Sequence, residues 1–331
     1  MSTESYAIIM VLILCWVVLT AANAVVCLVL KLLMGVRFKR AFLWGCLALI
    51  VPPAVIAYGA LIGRNVFEVR SVTIEHEELP KAFDGYRVVH ISDIHARSFE
   101  GRERHLQRAV EKINALSPDA IAFSGDLITM TPDELDTMQG ILSGFKAADG
   151  VFSVLGNHDY CMYSDMDSVA KAESLHRLMA TEEAMGWTLL MNEHRIIRRG
   201  ADSIAIVGVE NTSPSRHFPS KGNLAQASEG TEGMYRILIS HDPLHWEAEV
   251  VGRGYPLMLA GHTHAMQLSL CGWSPSRYIF PQYRGLYSAD GADADVQYLY
   301  VNAGLGETIF PARIGVRPEI TQITFKKALL L

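Results

Sequence analysis

Asp93 and His95 stand two residues apart at the end of the run Arg87-Val88-Val89-His90-Ile91-Ser92-Asp93-Ile94-His95, and both side chains can bind a metal ion. A lone Asp-x-His pair arises by chance on many surfaces, but further blocks of the same chemistry follow it. They are Gly125-Asp126, Gly156-Asn157-His158-Asp159, Ser240-His241 and Gly261-His262-Thr263-His264. Imidazole, carboxylate and amide-oxygen donors suit Mn, Fe, Zn or Mg, and such ions activate water and polarise substrate oxygens. Each block alone has an ordinary structural reading: Gly156-Asn157 as a turn, His262-Thr263-His264 as a surface strand with two histidines on one face. Their recurrence in order favours one shared site.

The elements around the blocks support this. In the opening run Val88, His90 and Ser92 share one strand face and Val89, Ile91 and Asp93 the other, so Asp93 and His95 fall where a strand gives way to a loop. Open α/β sheets carry their sites at such carboxyl ends. Short apolar strands over Ala120–Ser124, Val151–Leu155, Tyr235–Ser240 and Pro256–Ala260 end at the remaining blocks. Glycine lets the backbone turn tightly just ahead of a ligand. Arg64–Glu77 alternates as a strand, and Arg102–Leu116 reads as a helix with Leu106, Val110 and Ile113 on one face. Thr131-Pro132 starts a further helix, and a long helical pattern runs from Ser164 to Met185. Later strands are expected at Thr188–Met191, Arg195–Arg199, Ser203–Val209, Gln267–Leu270, Gln297–Val301 and Ile320–Phe325, with Ser213–Gly233 as a loop or mobile flap. Early β-α-β units and a strand-rich second half predict an α/β fold of two packed sheets flanked by helices.

The chain has 331 residues, half of them hydrophobic, and a formal charge of −6. Only Lys31, Arg37, Lys39, Arg40 and Glu4 are charged before residue 64, so residues 64–331 carry a formal charge of −9. Such an acidic domain is a poor non-specific binder of nucleic acid. Tyr6–Leu30 is an uncharged run of about 25 residues, and Ala41–Gly63 is a second apolar run interrupted by Pro52-Pro53. Both are long enough to span a bilayer, and the prolines should kink the second. Ala22-Asn23-Ala24 resembles a signal-cleavage site, but the apolar run continues past it and no basic residue precedes it. The expected organisation is therefore a membrane anchor over 1–63, with transmembrane helices at about 6–30 and 41–63, followed by a catalytic domain over 64–331. The basic link between the spans should stay in the cytoplasm, placing a multi-pass cell-membrane protein with its catalytic domain outside it. Cys161 and Cys271 both follow site blocks, so a disulfide between them stays open.

The order and wording of the five blocks resemble the calcineurin-like metallophosphoesterases, and the resemblance covers residues 68–325. It implies a four-layer α-β-β-α sandwich of two mixed sheets with two divalent metal ions at one edge. Asp93, His95 and His264 would hold one ion, Asn157, His241 and His262 the other, and Asp126 would bridge them. His158 matches the family's non-ligand histidine beside the scissile group and would assist the leaving group during in-line attack of a hydroxide held between the ions. Asp159 either orients His158 or caps the following turn. The tail Tyr300-Val301-Asn302-Ala303-Gly304-Leu305-Gly306, with Arg313 and Pro318-Glu319-Ile320, looks like the membrane-associated branch, which includes enzymes splitting lipid-linked substrates such as UDP-2,3-diacylglucosamine. The resemblance thus implies a phosphodiester or pyrophosphate substrate, lipid-linked and met at the bilayer. One departure stands out. Branch members commonly carry two glycines after the Gly-His-Thr-His block, where this chain has Ala265-Met266.

Two other functions remain open on the sequence. A general phosphatase or nuclease could use the same fold, although neither needs two spans and the acidic domain disfavours nucleic acid. A tethered protein that no longer catalyses would be expected to have lost a ligand or His158, and none is missing. Of the lesser candidates, His90 reads as a core or supporting residue because it points away from Asp93. His245 either lines the site or lies on the surface. Asp290, Asp293 and Asp295 fit a solvated hairpin better than a calcium loop.

Overall fold

The computed structural model describes residues 3–291 and 296–328, and the chain divides into units spanning Met1–Gly63 and Arg64–Leu331. The first unit holds α1 (Thr3–Met34), α2 (Phe38–Ala48) and α3 (Val51–Leu61). Two stretches, Ile13–Met34 and Phe38–Asn65, are long and apolar enough to cross a membrane. Pro52 and Pro53 open α3 and bring no N–H for the carbonyls four residues earlier, so the second stretch breaks between α2 and α3. Asn23 of α1 donates to Phe42 O at 3.1 Å and packs where a Cβ on Gly45 would collide with it. A polar side chain against a small residue is a common join between apolar helices.

The second unit runs β1 (Glu68–His76), β2 (Arg87–Ile91), α4 (Glu103–Ala115), β3 (Ala120–Phe123), α5 (Gln139–Leu142), β4 (Val151–Ser153), α6 (Ser168–Ala184), β5 (Trp187–Leu189), β6 (Glu193–Arg199), β7 (Asp202–Gly208), α7 (Leu224–Ala227), β8 (Tyr235–Ile239), β9 (Leu257–Ala260), β10 (Gly285–Asp290), β11 (Val296–Val301) and β12 (Glu319–Lys327). They form two six-stranded mixed sheets, ordered β1-β12-β2-β3-β4-β5 and β10-β11-β9-β8-β7-β6. Strands β2 to β5 are parallel, as are β7 to β9, so their carboxyl ends gather on one edge of each sheet.

Strand alternation builds the layers. Val88, Ala122 and Phe152 of the first sheet meet Ile206, Ile237 and Leu259 of the second in a buried core between the sheets. The opposite face of the first sheet, with Val89, Ile91 and Phe123, packs on Leu106 and Ile113 of α4 and Leu178 of α6. Val207, Leu238 and Met258 on the outer face of the second sheet are covered by Leu224 and by Trp246 and Val250 of a single π turn. The result is the expected α-β-β-α sandwich. Truncating a central ring such as Phe123 to alanine would cost about 3–5 kcal/mol.

Several expected boundaries shift. Gly63–Asn65 is a 3-10 turn, so the first strand begins at Glu68, and α6 begins only at Ser168, where the Asp167 carboxylate caps Val169 and Ala170. Gln267–Leu270 is not a strand. Ala265, Met266 and Gln267 have φ of 47°, 49° and 55°, and a left-handed backbone cannot continue a ladder. Strand β10 was not expected from the sequence. Cys161 is buried, Cys271 is exposed and both are free, so the possible disulfide is absent. Asp293 and Asp295 lie outside the described residues.

Candidate metal centre

The carboxyl ends of β2, β3, β8 and β9 and the β4 loop deliver every block to one place. The Asp93 N–H donates to Gly125 O at 2.9 Å and His95 N–H to Asp126 O at 3.1 Å, tying the first two loops together. Gly125 (φ 93°) and Gly156 let the next two loops touch: a Cβ on Gly156 would collide with Asp126 Oδ1, and one on Gly125 would lie 2.5 Å from Gly156 N. The His262 N–H donates to the Asp93 carboxylate at 3.0 Å, joining the two sheets.

Two donor groups result. Asp93, His95 and His264 place one ligand atom each within 4.8 Å of one another, and so do Asp126, His241 and His262. Within the first, Nε2 of His95 and Nε2 of His264 face each other at 3.0 Å, and Asp93 Oδ1 lies 3.2 Å from His264. Within the second, His241 Nε2 is 3.1 Å from Asp126 Oδ2 and 3.3 Å from His262 Nδ1. The His241 Nδ1–H donates to Ser124 O at 2.7 Å, which leaves Nε2 for the site. Asn157 lies almost wholly buried beside them, its Oδ1 without a hydrogen-bond partner. A buried amide oxygen left bare is costly unless something electropositive meets it.

Electrostatics point the same way. Burial works to raise the Asp93 carboxyl, yet His264 and His95 hold it well below the usual carboxylate range. Burial works to lower His241, yet Asp126 and Asp93 push it up to about 10. Burial meanwhile lowers His262 and His264 towards the neutral form in which imidazole binds a metal, and with a carboxylate held ionised, a bare oxygen and facing imidazole nitrogens the cage fits divalent cations. Five of its residues sit in the left-handed region: Asp93 (φ 50°), His95 (44°), Asp126 (60°), His262 (70°) and His264 (48°). Non-glycine residues there cost on the order of 1–2 kcal/mol each and gather at functional sites.

His158 is part-buried, with its Nδ1–H donating to Thr129 O at 2.8 Å and its backbone N–H to Asp126 Oδ1 at 2.8 Å. Burial pushes its pKa below the ordinary histidine value, against the pull of Asp126. It also offers a ligand atom within 4.8 Å of His95 and Asp126. Asp159 takes neither expected role. It does not hold His158, and its carboxylate instead accepts backbone N–H groups of Asp126, Leu127, Ile128 and Gly156. Burial and the neighbouring Asp126 charge push its pKa up to about 7.

His90 is buried against Ser124 Oγ at 2.9 Å, as a core residue. His245 is not a surface residue. It is buried between Ser240 Oγ (2.9 Å) and Glu249 (3.1 Å), lining a cavity with Ser213 and Arg253. Residues that motif reasoning passed over complete the surroundings. Phe218 and Phe280 set their rings edge-on to His262 at 4.9 and 5.5 Å, and Tyr163 lies 4.4 Å from the His158 ring. An aromatic ring inside the otherwise polar Ser213–Gly233 loop was the one signal in the sequence for Phe218. Arg313, fully buried, donates to Ala303 O and Gly306 O and approaches His264 Nδ1 to 3.3 Å.

Comparison with known proteins adds three relatives and one family. Residues 86–266 match the family model described as calcineurin-like phosphoesterase. The Bacillus subtilis metallophosphoesterase YkuE is 28% identical over 295 residues, covering 87% of this chain and 97% of that protein. A transmembrane protein with metallophosphoesterase domain from Danio rerio is 32% identical over 293 residues, 85% of this chain, which spans 62% of that protein's length. The UDP-2,3-diacylglucosamine pyrophosphatase LpxG of Chlamydia trachomatis is 26% identical over 281 residues, 71% of this chain and 83% of that protein.

Proposed function

The chain belongs to the calcineurin-like phosphoesterase family of metal-dependent phosphoric ester hydrolases, and on that premise we propose that it is a membrane-anchored enzyme cleaving a phosphodiester or pyrophosphate bond in a lipid-linked substrate. Asp126 carries the reading: its Oδ2 lies 3.1 Å from His241 Nε2 and 3.7 Å from His95 Nε2, so one carboxylate faces both donor groups. In this reading Asp93, His95 and His264 would hold one divalent ion, Asn157, His241 and His262 would hold a second, and Asp126 would serve both. Such ions polarise phosphoryl oxygens and make a water acidic enough to act as nucleophile near neutral pH. His158, its Nδ1–H taken by Thr129, presents Nε2 to the departing oxygen. Burial lowers that imidazole's pKa, and the negative charge of a bound phosphoryl group would draw it back towards the proton-donating form. Phe218 and Phe280 pack their rings against His262.

The lipid-linked part of the reading draws support from the two apolar stretches and from relatives named as a transmembrane protein and a UDP-2,3-diacylglucosamine pyrophosphatase. With Lys31, Arg37, Lys39 and Arg40 at the facing ends of the two stretches and in the link between them, that link stays in the cytoplasm and residues 64–331 lie outside it. Protease added to intact spheroplasts should then digest residues 64–331; protection until lysis would reverse the topology.

The reaction is tested on purified full-length protein by metal analysis and a panel running from aryl phosphodiesters to lipid pyrophosphates. Two divalent ions per chain and preference for a lipid-linked member are expected. An Asp126→Asn variant should lose both ions and nearly all turnover. If it keeps two ions and the wild-type rate, the assignment is wrong.

A further inference from the structure

Exposed apolar side chains are ordinary when scattered, but on residues 64–331 they are not scattered. Of the thirteen large hydrophobic side chains exposed there among the described residues, seven lie in 266–279 and 309–310. Tyr278 and Ile279 are 76% and 60% exposed, and Ile309 projects fully into solvent, next to Phe310. The two segments form one surface. The Gln267 side chain accepts the Thr308 N–H at 2.7 Å and donates to Phe310 O and Ala312 O, while the Ser269 N–H donates to Ile314 O at 2.7 Å. That surface borders the metal centre, because Phe280 stands edge-on to His262 and Arg313 abuts His264.

We propose that these loops are a lipid-docking surface, by which the domain rests on the bilayer and draws its substrate directly into the neighbouring centre. Two observations select a bilayer as the occupant. Arg64, the first residue of this unit and the next to last of the second apolar stretch, donates to Pro311 O at 3.1 Å. The exposed tips Ile309 and Phe310 therefore flank the point where the chain enters the domain, and a span ending there holds them at the membrane surface. The charge also fits. Residues 64–331 carry a formal −9, yet residues 265–289 and 308–318 contain no acidic side chain and offer exposed Arg277 and Arg317. Apolar tips ringed by arginine are the composition that enters an anionic lipid interface. Tethering and docking together fix the centre at the height of a headgroup and raise the effective concentration of lipid-borne ester.

The substrate half of this inference rests on the lipid-linked reading above; the docking half does not, and two measurements separate them. Full-length protein is reconstituted into vesicles of phosphatidylcholine and phosphatidylglycerol, with and without brominated acyl chains, and compared with a Trp273→Phe variant. The fluorescence attributable to Trp273 should fall by about half or more in brominated lipid. An equal Trp273 signal in both lipids overturns the docking. In the second measurement, an Ile309→Asp, Phe310→Asp double variant should hydrolyse a soluble aryl phosphodiester within about twofold of wild type and a vesicle-borne phospholipid ester at least tenfold more slowly. Equal loss on both substrates, or conversion of a dimer to a monomer in detergent, would mark the surface as a structural or protein contact and also overturn it. Bromolipid quenching without cleavage of any lipid ester leaves the docking standing and removes the lipid-linked substrate.

Discussion

The carboxylate of Asp159 accepts the backbone N–H of Asp126 at 2.8 Å, and holds Leu127, Ile128 and Gly156 in the same way. A side chain on the β4 loop thus fixes the turn after β3 that presents Asp126. Asp159→Asn would set an amide NH2 against backbone donors, and each buried donor left unmet costs about 1–3 kcal/mol. Urea unfolding should show a loss of about 3 kcal/mol, with metal affinity lowered about 10–100-fold. Wild-type stability in that variant would refute the role.

His158→Ala should retain its metals while turnover drops by about 10²–10⁴. Metal analysis beside kinetics decides the point. Because His158 offers a ligand atom near His95 and Asp126, loss of an ion in this variant would make it a ligand.

Glu182 gives stability a pH dependence. Burial and the Asp159 charge push its pKa up to about 8, and Ser153 Oγ is bonded to it. The folded chain therefore holds a proton that the unfolded chain releases near pH 4.5. The stabilisation is complete below that value and drains away as pH rises towards 8, by roughly 1 kcal/mol per unit. Glu182→Gln should flatten that slope in thermal melts between pH 5 and 8. An unchanged slope would place the dependence elsewhere.

Met266 occupies φ 49° with its side chain 45% exposed. A left-handed backbone costs a non-glycine residue about 1–2 kcal/mol, and glycine's extra chain entropy returns about 0.5–1 kcal/mol of that. Met266→Gly should therefore raise Tm by about 1–3 °C. A lower Tm would show that contacts of the methionine outweigh its backbone strain.

The site was more legible in the sequence than the strands around it. Buried parallel strands need unbroken apolar runs, so Ala120–Phe123 and Leu257–Ala260 announce themselves. Packing alone seldom calls for an aspartate or histidine just past such a run, because burying either one demands a partner. Strand β10 was missed because Gly285–Asp290 pairs with β11 alone and alternates between half-buried and exposed. An edge strand with Ser, Ala and Gly carries little strand signal. The Gln267–Leu270 expectation failed because left-handed geometry at non-glycine residues has no signature in composition. Asp159 and His245 stayed open between two readings for a shared reason. Their partners are Asp126 N–H and Ser240 Oγ, and hydrogen bonds between loops do not show in local patterns.

Strand β12 lies between β1 and β2, pairing Glu68 with Glu319 and Val88 with Ile323. The last of the described strands is therefore inserted between the first two of its domain. At roughly 5–20 residues per second, the ribosome needs about 12–50 s to pass from Glu68 to Glu319, and through that interval β1 and β2 wait with open ladder edges. Unpaired edges invite other strands, so a cell making this protein has to guard the nascent domain until β12 emerges. The loop at Gly304–Gly306, which bonds to Asp93, also arrives late, so the metal centre lacks that support until nearly the whole domain has been made.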